Sequence, residues 1–301
     1  MYREVDLSKF KKKYLDIKYD DKSEYQTMDI ILPEEDAECF PVILYIHGGS
    51  WLGGDKRKDT KAFTFKIPSQ GYVLATMNYR LAQENSWPAQ IEDVFSALKY
   101  ILKNAEDYKI DKNRIYIWGD SAGAHLAQFA AATQNKYEDI KNSLKALISF
   151  YGVSDITGFD RQAKKYGVEL SESTMGSMKS PCCMLMGEII DKDEDSILRA
   201  KNASPIYNIK DGFIPSLIQH GTDDKLVPVD QSIELVEKIN EKSPDSEIVF
   251  ETFTGADHAD DVFKSDENIK RCIDFLDKFS YDGKNPYRKD LKNIEVFLKD
   301  N

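Results

Sequence analysis

The sequence predicts an α/β protein: a mostly parallel central sheet flanked by helices, with a small helical cap insertion. Three observations predict it. Short, wholly apolar runs such as Val42–Ile46 fit strands buried on both faces of a parallel sheet. These runs alternate with longer stretches whose apolar residues recur at three- and four-residue steps. One stretch, 153–214, breaks the alternation, with no clear strand but many small, methionine and cysteine residues. A loop of that length suits a cap inserted between two core strands better than a structureless connection.

The elements follow in order. Thr27–Leu32 reads as a strand closed by Pro33, Val42–Ile46 as a second and Tyr72–Met77 as a third. Pro88 suits a helix start, and Ile91, Val94, Phe95, Leu98, Ile101 and Leu102 then form one apolar stripe. Arg114–Trp118 is a strand running into Gly119-Asp120-Ser121-Ala122-Gly123, after which an alanine-rich helix has side chains small enough to pack closely on a sheet. Leu144–Phe150, Pro215–Gln219 and Ile248–Phe253 are further strands, and Val229–Glu241 and Asn268–Phe279 are helices. Beyond position 280 a short helix is expected from Asp290, burying Leu291, Ile294, Phe297 and Leu298. The whole reads as one domain over 1–301, with the cap at about 153–214 and a C-terminal extension at about 280–301.

Composition narrows the function classes. The chain has 301 residues, with 41 Lys and Arg against 52 Asp and Glu, a net charge of −11. That disfavours nucleic acid, whose attraction is lysine and arginine to phosphate, and an anionic membrane surface. Four cysteines make no disulfide framework and sit at no zinc spacing. The N-terminal twenty residues hold positive charge but no apolar core of a secretion signal. The expectation is a cytoplasmic protein with no metal and no cofactor. Its partner is a small molecule, and a homo-oligomer is compatible with the sequence.

Two turns carry chemistry. Gly119–Gly123 is a G-x-S-x-G sequence placed between a strand and a helix, the setting of a strained nucleophile turn that exposes Ser121. His47-Gly48-Gly49-Ser50-Trp51 also follows a strand. Its glycines let backbone N–H groups approach a ligand. Those of Gly49 and Ser50, with that of Ala122, are the candidate oxyanion donors.

A serine nucleophile needs a base, and only four histidines exist. His47 lies in the turn, His125 is on the helix after Ser121, and His220 ends a strand. His258, in the loop before the last helix, is the candidate base. The base needs an acid, and His220–Pro228 offers Asp223 and Asp224. Asp224 is preferred, Asp223 is the alternative, and Asp257 is expected to point elsewhere.

These residues resemble the α/β-hydrolase superfamily, and within it the bacterial acetyl-esterase and feruloyl-esterase-like branch related to hormone-sensitive lipase. The resemblance is carried by HGGSWLGGDK (47–56), NYRL (78–81), WPAQIEDVFSALKYI (87–101), GDSAGAHLA (119–127), ASPIY (203–207) and HGTDDKLVPVDQS (220–232), and covers most of 25–280. It implies the α/β-hydrolase fold, Ser121 as nucleophile, Asp224 as acid and an oxyanion turn at Gly49 and Ser50. Ser50 replaces the third glycine of the HGGG form, and Ala124 stands where a second glycine often sits. The expected activity is a serine carboxylesterase on short acyl esters, acetyl first, with carbohydrate esters implied by the resemblance. The alternatives are an arylformamidase-like amide hydrolase and an inactive hydrolase fold used for binding. Trp51, Met184 and Met186 are candidate pocket residues; the competing role is core packing for Trp51 and covering the cap's own underside for the two methionines.

Overall fold

The computed structural model describes residues 3–165 and 174–299. Its framework is one eight-stranded sheet: β1 (Lys13–Lys18), β2 (Thr27–Ile31), β3 (Phe40–Ile46), β4 (Val73–Met77), β5 (Ile110–Asp120), β6 (Leu144–Phe150), β7 (Ser216–Gly221) and β8 (Ile248–Phe253). The strand order is β1-β2-β4-β3-β5-β6-β7-β8. From β4 to β8 every neighbouring pair is parallel, while β1 pairs β2 and β2 pairs β4 antiparallel. The C-terminal ends of β3, β5, β7 and β8 therefore share one edge, where open parallel sheets place their ligand sites.

Alternation along the strands divides the interior in two. Val42, Leu44 and Ile46 of β3 belong to one apolar cluster with helices α1 (Ala89–Lys103) and α2 (Ala122–Thr133). Ile43 and Tyr45 belong to the cluster on the opposite face, with Trp118 and Phe63. After the helices α3 (Phe159–Lys165), α4 (Pro181–Met186) and α5 (Glu194–Ala203), α6 (Asp230–Lys242) joins the first cluster through Leu235 and Ile239. The last helix, α7 (Asp266–Ser280), packs Ile269, Ile273 and Leu276 into the second. Both faces are covered, which is why the central strands read as continuous apolar runs.

The expected insertion between β6 and β7 is helical where described, consisting of α3, α4, α5 and short 3-10 turns; residues 166–173 of the stretch lie outside the described residues. Ser180 caps α4 by accepting from Cys183 N, and Asp193 and Ser196 form a reciprocal capping box at α5.

Two expectations need correction. Strand β1 was not foreseen, because its burial is partial and follows no clean alternation. The expected helix from Asp290 is only one 3-10 turn, Leu291–Asn293. Beyond it the backbone pairs with the N-terminal segment instead: Asp6 N donates to Phe297 O and Lys299 N to Glu4 O. That bridge, Val5 opposite Leu298, satisfies backbone groups of both segments and keeps the tail extended. Among the described residues no helix is long and apolar enough to cross a membrane.

Candidate active site

Ser121 stands between β5 and α2 with φ 52° and ψ −120°, a conformation costly for any side chain. Its glycine neighbours are required by close approach. A Cβ on Gly119 would lie 2.3 Å from Gly123 O, and one on Gly123 would lie 2.1 Å from Ile46 O. The turn is fixed from outside as well, since Ser121 N donates to Phe150 O at 2.9 Å.

Three loops at the sheet edge bring the other groups to this serine. Ser121 Oγ lies 3.0 Å from His258 Nε2, and His258 Nδ1 lies 2.7 Å from Asp224 Oδ2. Nδ1 thus donates to the carboxylate, and Nε2 is left to accept from the serine hydroxyl. Asp224 Oδ1 accepts from Leu226 N at 2.9 Å and Val227 N at 2.8 Å. Burial would raise this carboxyl's pKa, but hydrogen bonds from His220 and His258 outweigh it and hold the value at about 2. The carboxylate is therefore ionised at neutral pH. Asp223, one residue earlier, is exposed and its carboxylate accepts from Thr222 Oγ1.

Asp257 does more than expected. Its carboxylate accepts from His258 N at 2.7 Å and Lys225 N at 3.1 Å, tying the loop after β8 to the loop after β7.

The His47–Trp51 turn lies beside the serine. Gly49 has φ +131°, and a Cβ there would sit 2.1 Å from Gly53 O. Among the described residues the Gly49 and Ser50 N–H groups donate to no backbone or side-chain acceptor. Ala122 opens α2, so its N–H has no acceptor one turn earlier.

The turn is anchored by a residue not singled out in the sequence, Asp120. This buried carboxylate accepts from Gly48 N at 3.0 Å and Tyr45 Oη at 2.5 Å, and pairs with Lys61. Burial would raise its pKa, but Lys61 with these donors keeps it below the ordinary aspartate value. Asp120 thus joins the serine turn, β3 and the glycine turn.

His47 and His125 are structural. His47 Nδ1 donates to Gly48 O at 2.8 Å, and the ring stacks on Tyr79. His125 Nδ1 accepts from Trp51 Nε1 at 3.2 Å, so its Nε2 donates to Ala203 O at 2.9 Å. Burial lowers both pKa values to about 4.

A cavity of about 370 Å³ opens at Ser121. Trp51, Ala122, Val153, Phe159, Pro181 and Cys182 supply apolar wall, with Ser50 also in the lining and Leu226 and Val227 completing the side nearest Asp224. Trp51 therefore has both roles weighed for it: it is 2% exposed in the core and its surface faces the cavity. Gly49 is exposed and stands just outside the lining. Met184 and Met186 are not among the lining residues, and Met186 packs on the first apolar cluster instead. The α4 helix turns Pro181 and Cys182 to the cavity, which the methionine content did not reveal. Among the described residues no group of three or more His, Cys, Asp or Glu could hold a metal ion. All four cysteines are free thiols.

Residues 28–239 match the model of the BD-FAE family, well over half of the chain and a span that includes Ser121 and Asp224. The chain belongs to the BD-FAE family. Relatives of this BD-FAE member include a probable carboxylic ester hydrolase, LipM of Mycobacterium tuberculosis. It is 30% identical over 231 residues, which are 75% of this chain and 50% of LipM. The chain thus spans only half of that relative's length.

Among solved structures, a truncated carbohydrate esterase from gut microbiota superposes with a TM-score of 0.79 at 23% identity, covering 92% of this chain and 99% of that one. A bifunctional GH43-CE protein of Bacteroides eggerthii gives a TM-score of 0.76 at 25% identity, covering 89% of this chain and 35% of that one. With the strand order above, these likenesses establish the α/β-hydrolase fold for this BD-FAE chain.

Proposed function

We propose that the protein is a serine carboxylesterase cleaving short acyl esters, acetyl esters first, including those carried by carbohydrates. The observation that carries this reading is the continuous chain Ser121 Oγ–His258–Asp224 at the mouth of an apolar cavity.

Ser121 Oγ attacks the ester carbonyl as its proton passes to His258 Nε2, and the Asp224 carboxylate steadies the imidazolium. The carbonyl oxygen becomes an oxyanion beside the N–H groups of Gly49, Ser50 and Ala122. Fixed donors of this kind are each worth about 3 kcal/mol of barrier. His258 returns the proton to the departing alcohol, leaving an acyl-Ser121. Water, deprotonated by the same histidine, adds to the acyl carbon; the bond from that carbon to Ser121 Oγ then breaks, Oγ takes the proton back from His258, and the acid is released.

The cavity volume, near the lower end of the range for small-ligand sites, favours a small acyl group. The carbohydrate part draws support from what the two neighbouring structures are named for.

Purified protein is expected to cleave p-nitrophenyl acetate faster than p-nitrophenyl octanoate. Ser121→Ala is expected to lose about three or more orders of magnitude in kcat. Wild-type turnover in that variant would sink the mechanism. Formyl-kynurenine turned over faster than any acetyl ester would replace the ester reading with an amide one.

A further inference from the structure

His220 stands apart from the Ser121–His258 pair and is fully buried, yet it reaches the same carboxylate. Its Nε2 is 2.8 Å from Val227 O and 3.3 Å from Asp224 Oδ2. Both neighbours are acceptors, so Nε2 carries a proton shared between them. Its Nδ1 lies 2.7 Å from Ser232 Oγ, a buried hydroxyl on α6 that fixes the ring from the other side. Val227 completes a loop of contacts, since its N–H donates to Asp224 Oδ1 while its carbonyl accepts from His220. Asp224 Oδ2 is thus placed between two imidazoles, one of which faces Ser121.

We propose that His220 is a positioning residue for the reaction, holding the Asp224 carboxylate in place with its Nε2–H and drawing off part of the negative charge that His258 feels. The proposal rests on the esterase reading above.

Two consequences follow from the chemistry. Without the His220 donor, Asp224 Oδ2 loses a fixed partner and the ring of His258 loses orientation. The whole carboxylate charge then acts on His258, which holds its proton more tightly. The other charged groups on these loops are Asp223, which accepts from Thr222 Oγ1; Asp257, which accepts from His258 N and Lys225 N; Lys225, whose Nζ is 3.8 Å from Asp257; and Asp260, which accepts from Val262 N. The Tyr151 ring packs edge-on against His258 from the end of β6. None of these changes in the variants below.

The test compares His220→Asn with His220→Gln on p-nitrophenyl acetate. The longer glutamine amide can place an N–H near the former Nε2, whereas asparagine cannot. In His220→Asn, kcat should fall about tenfold or more with KM nearly unchanged. The acid limb of its kcat/KM profile should move to higher pH. His220→Gln should recover most of the rate and the wild-type limb. Equal losses in both variants with an unmoved pH profile would show a purely structural role and overturn the proposal, as would wild-type kinetics in both.

Ser232→Ala gives a second reading without changing the ring. Releasing the group that fixes its tautomer should shift the limb in the same direction, and an unmoved limb counts against His220. Ser121→Ala, assayed in parallel, separates the outcomes: activity surviving there defeats the esterase reading itself, whatever His220 does.

Discussion

At the scale of single residues, the two adjacent aspartates after β7 differ in environment far more than in sequence. Asp224 is buried, accepts two backbone N–H groups and reaches His258 at 2.7 Å. Asp223 faces solvent. Asp224→Asn should therefore lower kcat on p-nitrophenyl acetate by up to about 10⁴-fold, since an amide in that place can favour the wrong histidine tautomer. Asp223→Asn should stay within about threefold of wild type. The reverse pattern would move the acid to Asp223. Ser121 was legible in the sequence because its turn needs glycines at fixed spacing. His258 was legible because four histidines permit elimination. Asp120 was not, because its partners Tyr45, Gly48 and Lys61 lie 59 to 75 positions away and no local pattern announces them. His220 is legible only as the end of a strand for the same reason: its contact with Asp224 exists only once the loop has closed.

At the scale of elements, the decisive contact is the packing of α2 against the end of β3. Gly123, on the first turn of α2, sits so close to Ile46 O that a methyl group would overlap it. The atoms nearest that methyl belong to the backbone of Ile46 and His47, so no side-chain rotation relieves the clash. Gly123→Ala should cost about 3 kcal/mol or more by forcing helix and strand apart. Thermal denaturation should show a clearly lowered midpoint, and an unchanged midpoint would show that the turn yields freely. The buried strands were readable to within a few residues because short, wholly apolar runs bounded by turn residues suit strands covered on both faces. The two edge features were not. β1 is half-exposed, so its side chains carry no strong alternation. The tail had a helical apolar spacing at Leu291, Ile294 and Leu298, but its backbone found partners in the N-terminal segment, and those bonds decided its shape. The cap's position was legible from what the sequence lacked there. Which of its residues meet the cavity was not, since helix α4 presents Pro181 and Cys182 rather than its methionines.

At the scale of the whole molecule, buried histidines set the acid limit of the fold. His47 and His125 are both fully enclosed, with pKa values lowered to about 4 from an ordinary 6.5, chiefly because burial disfavours the imidazolium. The unfolded chain binds these protons at higher pH than the native protein does. Stability from both residues is thus fully present above 6.5 and is lost as pH falls toward 4. Each accounts for about 3 kcal/mol over that window. Asp224 adds a second, lower step. Its pKa of about 2 lies below the ordinary 3.8, so its contribution is complete above 3.8 and is lost as pH falls through about 2. Unfolding should therefore begin to ease well before the carboxylates titrate. Denaturant midpoints measured from pH 7 to pH 4 should fall steeply, and the fall should be shallower in His125→Gln, whose amide cannot take up the proton. The comparison uses slopes, so any constant cost of losing the Trp51 and Ala203 bonds cancels. Equal slopes in the two proteins would mean that His125 is reached by water and protonated before the fold opens, and would move the acid limit to other groups.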